Sequence, residues 1–379
     1  MKKVRLGDIC TVVSGTTPKS HVDEYWNGDK VWITPAEINE DTLVVTDSVR
    51  HISESAVKDS SLKSFPKGTV ILSSRAPIGK TAIAGCEMYC NQGFKNLICS
   101  EKINNLYLLY FLRSRKDYLN SLGRGATFKE ISKGIVENIK VPLPSIDTQI
   151  QIGNRIRTIE KLIGLRKKQL FLLDDLIKSR FVEMFGGDEK KEYCALNDCC
   201  ESITGGSTPS MKQEDFYGGN IPFIKSGDVK TDYVSSGALW LTKKALEEST
   251  AKLVPKNTVI VVTRSGILKH KLPVAITSVP VVINQDIKAF RPKSDFLPEY
   301  LAWAIRSKEN FLLSKTRAMT VDNIESKELY GIKIKHISIT KQLDFVSFIQ
   351  KIDKSKLAVK KSLEELETLK NSLMQQYFD

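Results

Sequence analysis

Five sets of hydrogen-bonding side chains occur twice in this chain at matched spacing, and their types suit recognition of a polyanion rather than bond making. The first is Thr16 and Thr17 in Gly15-Thr16-Thr17-Pro18, matched by Ser207 and Thr208 in Gly206-Ser207-Thr208-Pro209. Small hydroxyl residues beside glycine let N–H and O–H groups approach phosphate oxygens; the same residues also build an ordinary turn. The second set follows an aromatic: Thr34 and Glu37 after Trp32, against Lys225, Ser226 and Asp228 after Phe223. The aromatics suit a core. Polar residues that differ between copies suit two sites reading different bases, since lysine donates to guanine and a carboxylate accepts from cytosine N4. The third set is Ser74-Arg75 against Thr263-Arg264-Ser265. An arginine just beyond a buried strand is a bidentate reader of guanine, a phosphate clamp, or half of a structural salt bridge. Asn91-Gln92 and Asn284-Gln285 form the fourth set, amides that read adenine or cap turns. The fifth is Arg124 and Thr127 against Arg317 and Thr320, a groove or phosphate contact or again a structural arginine.

Catalytic constellations are scarce. The chain has no Asn-Pro-Pro-Tyr or Asp-Pro-Pro-Tyr for methylating a flipped base, no Gly-x-Gly-x-x-Gly after a strand and no His-Glu-x-x-His. Ser74–Thr81 ends like a phosphate-binding P-loop, but Ser74 replaces the first glycine, and the matching Thr263–His270 lacks Gly-Lys-Thr. Nucleotide hydrolysis is therefore not expected. Seven cysteines without a Cys-x2-Cys pair, and four histidines distant from them, suit reduced thiols and no metal. The net charge of +13 favours DNA, RNA or a membrane surface as partner, although a lysine-favouring genome gives the same balance. No run of about 18 apolar residues predicts a membrane span. The opening MKKVRLGDIC lacks the apolar core of a signal peptide, so a cytoplasmic protein is expected. Two other readings stay open: an enzyme with an unrecognised active site, and a two-headed protein-binding scaffold.

The elements that must position these residues are themselves duplicated. Leu6 to Ile38 returns as Leu196 to Val229; the offset starts at 190 (Leu6 to Leu196) and settles at 193 (Asn91 to Asn284, Ser179 to Ser372). A repeat this long is a duplicated domain, not a solenoid. Each copy has a mixed, turn-rich part and then a long helix, giving four segments: residues 1–145, 146–187, 188–338 and 339–379. The mixed parts read as α+β, with β-rich runs at Val31–Ile33, Thr69–Leu72 and Thr258–Val262 and short helices at Leu106–Ser114 and Tyr300–Ser307. In the first long helix Ile156, Ile163, Leu170 and Ile177 belong to an apolar stripe with alternating spacings of four and three; Ile349, Val359, Leu363 and Leu366 belong to its counterpart. Such spacing predicts coiled-coil packing of the two helices, antiparallel if the copies are related by a two-fold. Arg166, Arg180, Lys356 and Lys370 interrupt the stripes. Leu162, Leu165, Leu172, Leu176, Phe181, Leu357 and Leu369 lie off them, so each helix has a second face to be covered by its domains or by a partner protein.

In order and duplication the chain resembles the specificity (S) subunits of type I restriction-modification systems. The marks are Leu6-Gly7-Asp8, Gly15-Thr16-Thr17-Pro18, Tyr25-Trp26-Asn27-Gly28-Asp29, Trp32-Ile33-Thr34-Pro35, Asn91-Gln92-Gly93-Phe94, and Ile139-Lys140-Val141-Pro142-Leu143-Pro144 followed by Gln149. The second copy departs at Asp286-Ile287, in place of Gly-Phe, and at Ile334-Lys335-His336, where the prolines are missing. The resemblance implies two pseudo-symmetric target recognition domains separated by two long helices packed as an antiparallel coiled coil. It implies a non-catalytic subunit that reads a bipartite double-stranded DNA target and docks two modification (M) subunits, with two restriction (R) subunits as an optional addition. S-adenosylmethionine would belong to the M subunits, and ATP and Mg to an R subunit; this chain would hold no cofactor.

Overall fold

The computed structural model describes residues 2–75, 77–125, 129–187, 192–318 and 322–379, the side chains at 317 and 318 excepted. The chain divides into two compact units: 1–168 with 360–379, and 169–359. Each contains one mixed domain, part of one long helix and part of the other.

In the first unit a five-stranded sheet has the order Cys10–Ser14, Lys95–Cys99, Val70–Leu72, Thr81–Ala84, Val44–Val45, and a three-stranded sheet the order Arg50–Ile52, Lys30–Ile33, Tyr89–Cys90. The second unit repeats the five-strand order with Cys200–Gly205, Ile287–Pro292, Val259–Val262, Val274–Thr277 and Tyr233–Val234. Its smaller sheet runs Leu239–Leu241, Tyr217–Ile224, Val281–Ile283, Leu253–Val254, one strand more than its counterpart.

The unbroken apolar runs Val70–Leu72 and Val259–Val262 follow from a strand covered on both faces. With a side-chain period of two, Val70 and Leu72 join the helical core with Tyr107 and Phe111, while Ile71 packs with Ile33 and Cys90 of the small sheet. In the second unit Val259 and Val261 face Tyr300 and Leu301, and Ile260 and Val262 face Ile224 and Ile283. Each mixed domain is thus three layers: helices, large sheet, small sheet.

The long helices are Ile146–Phe185 and Ile339–Phe378, offset by 193 at both ends. Both start from a buried glutamine that satisfies its whole amide. Gln149 accepts from Asn104 N (2.9 Å) and donates to the carbonyls of Lys102 and Pro144. Gln342 accepts from Leu297 N (2.8 Å) and donates to those of Asp295 and Ile337. Lys333–Lys335 pairs with Tyr193–Ala195 as Lys140–Pro142 pairs with Lys3–Arg5, so losing the prolines leaves the route into the second helix intact.

Within each unit the helix segments run antiparallel. In the first, Arg155 meets Tyr377, Glu160 meets Lys370 and Lys167 meets Glu367; in the second, Asp174 meets Lys356 and Phe181 meets Phe345. Ile156, Ile163, Ile177, Ile349 and Val359 are buried, and Leu170, Leu363 and Leu366 half-buried. The basic interruptions at Lys356 and Lys370 lay their stems along the seam and end in ion pairs with Asp174 and Glu160. The last phenylalanine of each helix enters a domain core: Phe378 sits 5.2 Å from the Tyr107 ring, and Phe185 sits 5.1 Å from Tyr300. No helix among the described residues is long and apolar enough to cross a membrane.

Candidate nucleic-acid interface

The first and fourth sets of polar residues meet in both units, because the turn that carries the first packs on the end of the small-sheet strand that leads into the fourth. At Gly15 a Cβ would lie 2.2 Å from the carbonyl oxygens of Cys90 and Asn91; at Gly206 it would lie 2.0 Å from that of Asn284. Only glycine permits that approach. The next residues then bond the same strand end, Thr16 N to Cys90 O and Ser207 N to Ile283 O, each at 3.0 Å. The exposed Thr17 and Thr208 donate to the Oε1 atoms of the exposed Gln92 and Gln285.

In the first unit the second and third sets join this corner. Thr34, Arg75, Lys80, Asn91, Gln92 and Gly93 line one cleft of about 360 Å³. Lys80 is tethered at its rim, donating to Pro35 O at 2.8 Å. Arg75 Nε bonds Glu130 Oε2 at 2.9 Å, and the buried Lys95 bonds Glu130 Oε1 at 3.1 Å. Burial alone would raise the Glu130 carboxyl, but these two cations outweigh it and hold the group below its ordinary range. Arg124 of the fifth set exchanges both backbone hydrogen bonds with Glu130 (3.0 and 2.9 Å), and its side chain is exposed.

The second unit builds the same frame with different charges. Arg264 forms a backbone bridge with Asn323, which stands where the first unit has Glu130. The Arg264 side chain is exposed and has no carboxylate partner among the described residues. Lys225 replaces Thr34, with its ammonium 5.9 Å from the Phe223 ring.

Several candidates take structural roles instead. Ser74 is fully buried beneath Arg75, its hydroxyl accepting from Lys95, and is closed to a ligand. Glu37 uses both carboxylate oxygens, Oε2 accepting from Thr34 across its own turn and Oε1 from Val49 N of a neighbouring segment; Asp228 accepts from Lys225 N at 2.9 Å. These carboxylates shape the turns that present residues 34 and 225. Asn284 is buried, and Ser265 accepts from Ile267 N as a helix cap. Ser207 and Ser226 are half-buried. Trp32 and Phe223 are core residues. Thr127, Thr320 and the Arg317 side chain lie outside the described residues. The Ser74–Thr81 stretch links two antiparallel strands, not a strand and a helix, so it has no helix N-terminus to offer a phosphate. Glu130 and Lys95 carry no motif in the sequence, and Lys80 stands out there only within the P-loop-like stretch; comparison of the copies at the 193 offset sets Glu130 against Asn323.

The family model for the type I restriction modification DNA specificity domain matches twice, over residues 1–172 and 188–368. The chain belongs to the type I specificity family. Over 281 residues it is 30% identical to the type I restriction enzyme MjaIX specificity subunit of Methanocaldococcus jannaschii, covering 69% of this chain and 65% of that protein. Over 232 residues it is 33% identical to the EcoR124I/EcoR124II specificity subunit of Escherichia coli, 56% of this chain and 55% of that protein. The matches thus span less than two thirds of either relative. The fold is shared with a solved type I system chain (TM-score 0.65, 18% identity, 99% and 97% covered) and with the S subunit from M. genitalium (TM-score 0.59, 13% identity, 100% and 96% covered).

Proposed function

We propose that this chain is the non-catalytic, sequence-reading subunit of a type I restriction-modification complex, each recognition domain reading one half of a split duplex DNA target. The observation that carries this is one frame built twice with altered contact residues. The Gly-Thr turn, the Thr–Gln bond and the arginine beyond the central strand recur at matched backbone positions. Residues around them change: Thr34 to Lys225, Gly93 to Asp286, Glu130 to Asn323. A duplicated catalyst would keep its reactive groups; a duplicated reader of two different half-sites changes its contacts.

The long helices serve as spacer and docking surface. Forty residues at about 1.5 Å each make a rod of roughly 60 Å, ample for half-sites one helical turn, about 34–36 Å, apart. Leu162, Leu165, Leu172 and Leu176 of the first helix, and Leu357 and Leu369 of the second, are exposed. Such apolar helix faces suit partner proteins, here two M subunits that bind S-adenosylmethionine and methylate adenine. R subunits using ATP and Mg join where the system also cleaves.

Selection of bound duplexes from a randomised library, by the full chain co-purified with its M subunit, tests this reading. A motif of two short halves around an unread gap is expected; a single contiguous motif, or none, would overturn it.

A further inference from the structure

We propose that residues 93 and 286 give the two recognition domains opposite hydrogen-bonding polarity. The second domain then requires an exocyclic amine, adenine N6 or cytosine N4, where the first takes a base acceptor such as guanine O6, thymine O4 or a purine N7. The inference rests on the DNA-reading function above and names the base chemistry at one position of each site.

An amide side chain is oriented by any neighbour that can act in only one sense. In the first domain that neighbour is a backbone N–H: Gly93 N donates to Asn91 Oδ1 at 2.9 Å. The Asn91 oxygen is therefore turned to the backbone. Its Nδ2 donor has no partner among the described residues, on a side chain that lines the cleft. In the second domain the neighbour is a carboxylate, which only accepts: Asn284 Nδ2 donates to Asp286 Oδ2 at 2.9 Å. The amide is reversed and buried, and the group left at the surface is the half-exposed Asp286. Asp286 Oδ1 has no partner among the described residues.

Two further observations favour a recognition role. Reversing the amide leaves Asn284 Oδ1 buried without a partner, an arrangement that stability alone disfavours. A carboxylate also repels DNA phosphates, so Asp286 in a basic protein suits a base edge rather than the backbone. The residue difference bears directly on the amide: a Cβ on the buried Gly93 would lie 2.9 Å from Asn91 Oδ1, the movable tip of a side chain, and 3.2 Å from Pro35 Cγ, so the amide would swing away and give up its bond to the residue 93 N–H while Pro35 yields by a few tenths of an ångström.

The test is the same library selection with the full chain and its M subunit, comparing wild type with Asp286→Asn and Gly93→Asp. Asp286→Asn should lower preference for an amine-bearing base at one position of one half-site by about 5-fold or more, the other half staying unchanged. Gly93→Asp should add an amine preference at one position of the opposite half, a gain that unfolding cannot produce. Unchanged base preferences in both variants, or equal changes in both halves, would overturn the inference. A wild-type complex that selects no split motif would instead remove the function on which it rests.

Discussion

Arg75 and Arg264 occupy matched backbone positions in different electrostatic surroundings. Glu130 neutralises Arg75 and also holds Lys95, whereas Asn323 leaves the charge of Arg264 uncompensated by a carboxylate among the described residues. Arg264→Ala should therefore weaken binding about 5-fold or more and relax one base of one half-site, measured by fluorescence anisotropy on duplexes altered in one half at a time. Arg75→Ala should cost less. Glu130→Gln should raise affinity for unrelated DNA by freeing the half-exposed Arg75 guanidinium, Lys95 staying buried, and an unchanged or lower affinity would count against a DNA contact at Arg75. The arginines were legible in the sequence because each follows an apolar strand run. Glu130 was not, because its counterpart Asn323 carries no charge and the two copies share no residue type there. Glu37 looked like a base reader although Thr34-Pro35-Ala36-Glu37 has the spacing of a capping box, the signal that would have assigned it to the turn.

The elements were the most legible level, for identifiable reasons. A 3.5-residue stripe marks the long helices, and unbroken apolar triplets mark strands covered on both faces. The small sheets were less so: Trp32 pairs in parallel with Tyr89, across a connection that no local pattern reveals. Nor did spacing show that each helix ends inside a domain core. Phe378→Ala should remove about 3–5 kcal/mol from the first unit, seen as a lower thermal midpoint, with Phe378→Leu recovering part of it. Gln149→Leu keeps the volume but strands one N–H and two carbonyls, each costing about 1–3 kcal/mol. A shift under 1 kcal/mol would mean that water replaces the glutamine.

For the whole molecule, duplication and charge point the same way. A chain of net charge +13 that reads DNA through phosphate-anchored domains should lose affinity steeply and log-linearly with salt, by several powers of ten between 50 and 200 mM if about 6–10 phosphates are contacted. A flat salt response would favour a protein-binding scaffold. Inserting seven residues after Leu173 should lengthen the gap of the recognised motif or abolish activity, and an unchanged gap would remove the spacer role from the helices. Single-molecule methylome sequencing of a methylation-free host carrying this chain, its M subunit, or both decides whether the chain is a non-catalytic reader of a split target. A split adenine-methylated motif is expected only when both are present. Methylation by this chain alone, or the same motif from the M subunit alone, would contradict it.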